Sequence, residues 1–450
     1  MLGHFIKKIL ISSLVLSSTT AWSKSLSQLE EKALGEYIYR MEGPQKFSLI
    51  EFENYFLYEL NRICDLSDVH LDHPLTLRII DSNTVNAFAT SGSFVFIYTG
   101  IIKQLTDVSE IMGVLCHELT HTKEHHTRRT VESRSDSNNQ KMLLLATFPM
   151  VLLLPGIGEL FYAMAVDQTF IQQQLFSQQM EYEADAGALE LMRNAGFDGS
   201  KLISAFESLG RYQGNSMIPD HFSYYATHPL TSDRIARVKN ALQTHPQFVL
   251  AIDRAQLDYT LLLSRLYQPY EKIPSTHDNY ATLIETYRAG IADKDISGLL
   301  KTYPHSVMLR LDRLEQLLYA EQWKEAGEFN QKQEEHDHYW ARLPIVQSAV
   351  ATIDSHQLSQ KEFIRKYQGS LLTHNVNYEM LKYLAECYVS QNMHDLYHIT
   401  QAKYFLECGA YDEALSQLKH PSVNQHSIYA QAIKNDAELM ISVNRRLRSL

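Results

Sequence analysis

The sequence predicts an α+β fold that is mainly helical, with a small sheet among helices and then an all-α region. Three observations carry this reading. Two β-rich runs, Leu75–Ile80 and Phe94–Tyr98, lie close together and are bounded by turn formers at Asn83, at Ser91-Gly92-Ser93 and at Thr99-Gly100. Helical periodicity occupies most of the remaining chain, and no strand signal follows residue 260. The length of 450 residues exceeds one ordinary domain and is enough for two cores. The expected division is a leader at 1–23, a sheet-containing domain at 24–255 and a helical domain at 256–450.

The leader follows from Lys7 and Lys8, the apolar core Ile9–Leu16 and a small-residue cleavage site at Ala21-Trp22-Ser23. The apolar core is shorter than the roughly 20 residues that a membrane span needs, so export is expected. In a bacterium with two membranes the destination is the periplasm. Residues 27–65 carry helical periodicity, clearest in Phe52, Tyr55, Phe56, Leu60 and Ile63. After the β-rich runs a helix is expected from an Asp107 N-cap to about Arg129. Residues 142–166 are almost wholly apolar, but Pro149 and Pro155-Gly156 interrupt them. A buried hairpin, a surface flap and a peripheral membrane contact all fit that segment. A second strong helix is expected over Ser177–Ala195, with Gly196 as its C′ residue, and another begins near Thr231.

In the helical region Trp323-Lys-Glu-Ala326 and Tyr411-Asp-Glu-Ala414 share an aromatic followed three residues later by alanine. Ala402 to Leu418 resembles the core of a tetratricopeptide repeat, in which small residues let paired helices approach. The spacing between the two copies is not a multiple of that repeat's period of about 34 residues, so an irregular solenoid and an ordinary helical bundle both remain open. Of the four cysteines, Cys387 and Cys408 are the nearer to pairing, with two free buried thiols as the alternative.

Hydrophobic residues make up 45% of the chain and charged residues 21%, and the net charge of −11 leaves no basic footprint for nucleic acid. Nucleic acid is therefore not an expected partner. The chemistry points to a metal instead. His117-Glu118-Leu119-Thr120-His121 is an HExxH sequence on an expected helix, and the i, i+4 spacing puts both imidazoles on one face. Such a pentapeptide arises by chance in roughly one chain in twenty of this length and composition, so a third ligand is needed. Glu181 supplies it from the second helix, with Asp185 one turn on and on the same face. Two histidines and a glutamate leave one zinc position for water, as catalysis requires, and Asp185 is placed to accept the second ring N–H of His117. Glu118, beside a ligand but not one itself, is the expected base. His228 and Arg234 are candidates to stabilise an oxyanion. Glu183 reads as solvated, Cys116 as core, and His125 and His126 as a bland continuation of the helix.

Asn86–Thr90, Phe94–Gly100, His117–His121, Glu181–Asp185 with Gly196-Phe197-Asp198, and His228–Arg234, in this order and spacing, resemble the M48 metallopeptidases across residues 75–240. The resemblance implies a gluzincin-type fold with one Zn²⁺ per chain on His117, His121 and Glu181, Glu118 as base and Asp185 in support. It implies that Phe94, Val95, Phe96, Ile97 and Tyr98 form an edge strand that pairs with an extended or unfolded polypeptide substrate. In exported members with tetratricopeptide-like repeats, the histidine matching His228 can fill the fourth zinc position and hold the site shut. Those members act in quality control of outer-membrane β-barrel proteins and contact their assembly machinery. The expected activity is therefore hydrolysis of misassembled envelope proteins together with chaperone activity, the alternative being an assembly adaptor that acts through its helices.

Overall fold

The computed structural model describes residues 35, 50–90, 92–134, 177–213, 224, 228–244, 252–267, 281–293, 295–373 and 378–449. The expected leader at 1–23 and the apolar segment at 142–166 lie outside the described residues. The chain divides into two compact units, one running to Gln316 and the other comprising Leu317–Leu450.

In the first unit, helix α1 (Ile50–Leu66) buries Phe52, Tyr55, Phe56, Leu60 and Ile63, the residues whose spacing predicted it. Strands β1 (Thr76–Ile80), β2 (Ala87–Thr90) and β3 (Phe94–Tyr98) form one sheet in the order β1-β3-β2. β1 runs parallel to β3, with Thr76 opposite Phe94 and Ile80 opposite Tyr98. β2 runs antiparallel to β3, with Ala87 opposite Ile97 and Thr90 opposite Phe94. Gly92 and Ser93 make the turn between them in the left-handed region (φ 80° and 65°).

This order corrects one expectation. Phe94–Tyr98 is the central strand and not an edge, because the β2–β3 hairpin occupies one of its sides and β1 the other. The outer side of β1 is closed at Ile79, whose N–H donates to Glu53 Oε1 of α1 at 2.9 Å. Among the described residues β2 is paired on one side only.

Helix α2 (Thr99–Gln104) leads into α3 (Val108–Lys123), whose N-terminus is capped where expected, Asp107 accepting from the Ser109 N–H at 2.8 Å. The far end differs from the expectation. The helix does not continue to Arg129 but stops at Glu124, His125 turns left-handed (φ 51°), and a separate helix α4 spans His126–Arg134. Helix α5 (Gln178–Ala195) starts on Ser177, which accepts from Met180 N–H, and ends on Gly196 at φ 78° with Phe197 N–H bonded to Met192 O. α3 and α5 pack closely: a Cβ on Gly187 would lie 2.5 Å from Thr120 Cγ2, so only glycine fits there. Helices α6 (Lys201–Gln213) and α7 (Ser232–Thr244) complete the surroundings of the site.

The unit extends past the expected boundary at residue 255. Helix α8 (Ile252–Leu266) belongs to it, because Tyr259 Oη donates to Leu105 O at 2.6 Å and Gln256 Oε1 accepts from Val108 N–H at 2.8 Å, both around the start of α3. Helices α9 (Ala281–Ala292), α10 (Ser297–Thr302) and α11 (Val307–Tyr319) follow, and Asp258 of α8 accepts from the Val307 N–H at the head of α11.

The second unit is helical throughout its described residues: α12 (Trp323–His336), a 3₁₀ turn at Trp340–Arg342, α13 (Pro344–Gln357), α14 (Gln360–Thr373), α15 (Tyr378–Ser390), α16 (His394–Glu407), α17 (Tyr411–Leu418) and α18 (Ile428–Ser449). Consecutive helices pack on each other, and Ala326 and Ala414, the small residues of the two similar stretches, are fully buried. Cys387 is a buried free thiol and Cys408 an exposed one, so the pairing weighed from the sequence is not formed. Among the described residues no helix is long and apolar enough to cross a membrane.

Candidate metal centre

α3 and α5 face each other so that His117, Glu118 and His121 meet Glu181 and Asp185, all of them almost fully buried. The i, i+4 spacing on each helix does this directly, because residues four apart lie one turn above each other. His228, just before α7, reaches the same point. One nitrogen or oxygen from each of His117, His121, Glu181 and His228 falls within 4.8 Å of the others.

Five separations define the group. His117 Nε2 lies 3.0 Å from His121 Nε2 and 3.3 Å from His228 Nδ1. Glu181 lies 3.1 Å from His228 Nδ1 and 3.5 Å from each of His117 Nε2 and His121 Nε2. Ligand atoms arranged tetrahedrally at about 2.0–2.1 Å from zinc are about 3.3 Å from one another. The observed range of 3.0–3.5 Å fits that size, and two imidazoles and a carboxylate are donors that zinc accepts.

The surrounding charges are ordered. Arg234 holds Asp185 with two bonds, Nε to Oδ2 at 2.8 Å and Nη2 to Oδ1 at 2.7 Å, and its Nη1 reaches Glu181 Oε2 at 2.8 Å. It also donates to the carbonyls of His228 and Pro229. Asp185 Oδ1 in turn lies 3.1 Å from His117 Nδ1, close though off the line of a well-aligned hydrogen bond. Burial opposes charge on His117, but Asp185 and Glu181 outweigh it and raise its pKa to about 9. Burial and the neighbouring His117 hold His121 well below the usual imidazole range. Burial works against ionisation of Glu181 too, yet His228 and His117 beside it keep it ionised well below the ordinary carboxylate range.

Asp185 therefore stands where the sequence expected it, against His117. Arg234 does not serve as a free donor for an oxyanion, because its guanidinium is bound to Asp185, Glu181 and two carbonyls; it braces the carboxylates. Cys116 is core, with its thiol pKa raised by burial.

Tyr224 escaped the sequence reading, and His126, expected there as a bland continuation of the helix, begins a new one beside the site. Tyr224 Oη donates to Glu118 Oε1 at 3.2 Å, and the ring stacks on His228 with centroids 4.7 Å apart. His126 lies against the far nitrogen of His121. No spacing rule flags either one: Tyr224 is placed by a bond from its N–H to Val85 O, and His126 by the turn at His125.

Two buried histidines and a glutamate from facing helices, with a second carboxylate behind one histidine, define the class of zinc-peptidase-like centres. Residues 55–242 match Peptidase family M48. The Beta-barrel assembly-enhancing protease of Escherichia coli (strain K12) is 26% identical over 178 residues, covering 39% of this chain and 36% of that protein. A Vibrio cholerae protein provisionally given the same name is 29% identical over 205 residues, covering 44% and 40%. Metalloprotease LoiP of Escherichia coli (strain K12) is 22% identical over 221 residues, covering 48% and 82%. This chain thus spans about two fifths of the length of the first two relatives.

Proposed function

We propose that the protein is a zinc metalloendopeptidase with His117, His121 and Glu181 as metal ligands and Glu118 as catalytic base. The observation that carries this is the set of ligand separations between 3.0 and 3.5 Å, with a non-ligand carboxylate, Glu118, buried beside it. Bound zinc supplies Lewis acidity and lowers the pKa of water from 15.7 to about 7. Glu118 takes the proton of the attacking water and delivers it to the leaving amine. Asp185 keeps the His117 proton on Nδ1 and leaves Nε2 for the metal, while Arg234 fixes both carboxylates. In the arrangement described here His228 belongs to the group, which makes it a four-residue, closed set. Catalysis requires His228 to withdraw from it.

An extended substrate is best accommodated along β2, the strand paired on one side. A cavity lined by Thr90, Gly92, Ser93, His121 and Thr122 leads from the end of β2 to the metal helix, which supports that placement. The substrate class in this reading is exported polypeptide that has failed to assemble, in the periplasm. It draws on the names of the relatives and on the leader pattern at 1–23. The separate helical unit Leu317–Leu450 favours an additional docking or chaperone role toward outer-membrane β-barrel proteins and their assembly machinery.

The test is cleavage of an unfolded protein by the purified chain, with zinc content measured alongside. One zinc per chain, loss of cleavage on chelation and its return with zinc are expected. Glu118→Gln should keep the metal and lower kcat by at least about 10²-fold, within the range for removing a general base. Full cleavage by that variant rejects the mechanism. Full support of envelope assembly by it rejects proteolysis as the main role.

A further inference from the structure

His126 and Glu183 have no role in the reading above, yet they complete a chain of contacts to one of its ligands. His126 Nδ1 lies 2.8 Å from His121 Nδ1, and His126 Nε2 lies 3.0 Å from Glu183 Oε2. Glu183 is itself held by Arg129 at 2.7 Å and by Gln179 at 3.1 Å. On a continuous helix His126, five residues after His121, would be turned about 140° away from it at 100° per residue. The left-handed His125 ends α3 and starts α4, which brings the His126 ring back against His121. His126 is fully buried, and Glu183 is partly exposed at the rim.

Proton counting gives this geometry a direction. Two ring nitrogens 2.8 Å apart share one proton, so one of them donates and the other accepts. Glu183 is an ionised carboxylate, with Arg129 beside it, and only accepts. A neutral His126 therefore carries its single proton on Nε2, facing Glu183, and its Nδ1 is left as acceptor. His121 must then carry its proton on Nδ1, and its Nε2 is left bare, pointing at His117 and Glu181.

We propose that Glu183 and His126 form a relay that fixes His121 in the metal-binding tautomer, with His126 as a positioning residue for the metal centre. The relay does for His121 what Asp185 does for His117, through an extra imidazole. It rests on the reading of His121 as a zinc ligand. Partners of this kind are worth about 10–100-fold in metal affinity.

The experiment is zinc competition against a chromophoric chelator on the full-length chain, with circular dichroism and thermal melting of the metal-free protein as the control for folding. His126→Leu removes the acceptor, and its zinc affinity should fall by about 10–100-fold. His126→Asn keeps an acceptor oxygen near the Nδ1 position and should recover most of the loss, an order that packing alone would not produce. Glu183→Gln lies on the partly exposed side, leaves the fold intact and should weaken binding by a smaller factor. Equal affinity in wild type and His126→Leu overturns the relay while leaving the zinc reading intact. Equal losses in the Leu and Asn variants, with Glu183→Gln unchanged, overturn it as well and assign His126 to packing. A wild-type chain that takes up no zinc overturns the metallopeptidase reading, and the relay with it.

Discussion

The unit that runs to Gln316 buries Glu59, Arg78, Glu118, Glu181, Asp185, Arg234, Asp258 and Asp312 besides four histidines, whereas Leu317–Leu450 buries Asn330, Thr400 and Lys403 as its polar residues among those described. In the second unit each of these has a near partner: Asn330 Oδ1 accepts from Trp340 Nε1 at 2.8 Å, Thr400 Oγ1 donates to Leu396 O, and Lys403 pairs with Glu407. In the first, Glu118, Glu181, Asp185 and the imidazoles are joined into a network whose members come from distant parts of the chain, such as Arg234 with Asp185 and His228 with Glu181. Taking charges out of water costs several kcal/mol per ion unless partners compensate. A fold that keeps so many of them does so where their positions matter, and perturbed titration follows from that placement. The helical unit has the ordinary apolar core of a scaffold. Chemistry is thus concentrated in one unit, and surface is what the other offers.

Asp185→Asn removes the carboxylate that Arg234 holds with two bonds in the buried network. This leaves Arg234 buried against a neutral amide and loosens the His117 tautomer. We expect a loss of about 3–5 kcal/mol in stability, the cost of breaking a buried ion pair, together with a clear fall in zinc affinity. Chemical denaturation and chelator competition measure the two effects. A stable variant with normal zinc binding would mean the network is ornamental.

The complementary probe lies in the other unit. Trp340 is fully buried, and Trp340→Ala should cost about 3–5 kcal/mol in that unit's denaturation while zinc stoichiometry remains one per chain. Loss of zinc in this variant would show that the metal centre depends on the scaffold.

The smallest expected effect concerns Glu53 behind β1. Burial raises its pKa from 4.5 to about 7, although the Ile79 N–H and Arg78 oppose the shift. Because the folded value is the higher one, its contribution to stability is complete below about pH 4.5 and is lost as pH rises through about 7. Glu53→Gln keeps an acceptor for Ile79 without the titration. The stability difference between wild type and variant should therefore change over that window and level off above it, as denaturation at a series of pH values would show. A flat difference would mean that Glu53 is effectively solvated.

What depends on neighbours a few residues apart was legible in the sequence. It fixed the turn of helix that aligns His117 with His121 and Glu181 with Asp185, the Asp107 and Ser177 caps, the stop at Gly196 and the two strands Thr76–Ile80 and Phe94–Tyr98, because helix period, capping and strand alternation are local properties. Tertiary structure decided the rest. Strand order made Phe94–Tyr98 the centre of the sheet and left β2 at the side, since pairing between separated segments leaves no periodic trace in either one. The left-handed turn at His125 brought His126 to His121, packing of α8 against the start of α3 carried the first unit beyond residue 255, and chain return delivered Tyr224 and His228 to the HExxH helix. These placements depend on which buried polar groups find partners across the fold, a condition that is met only when the whole chain has packed.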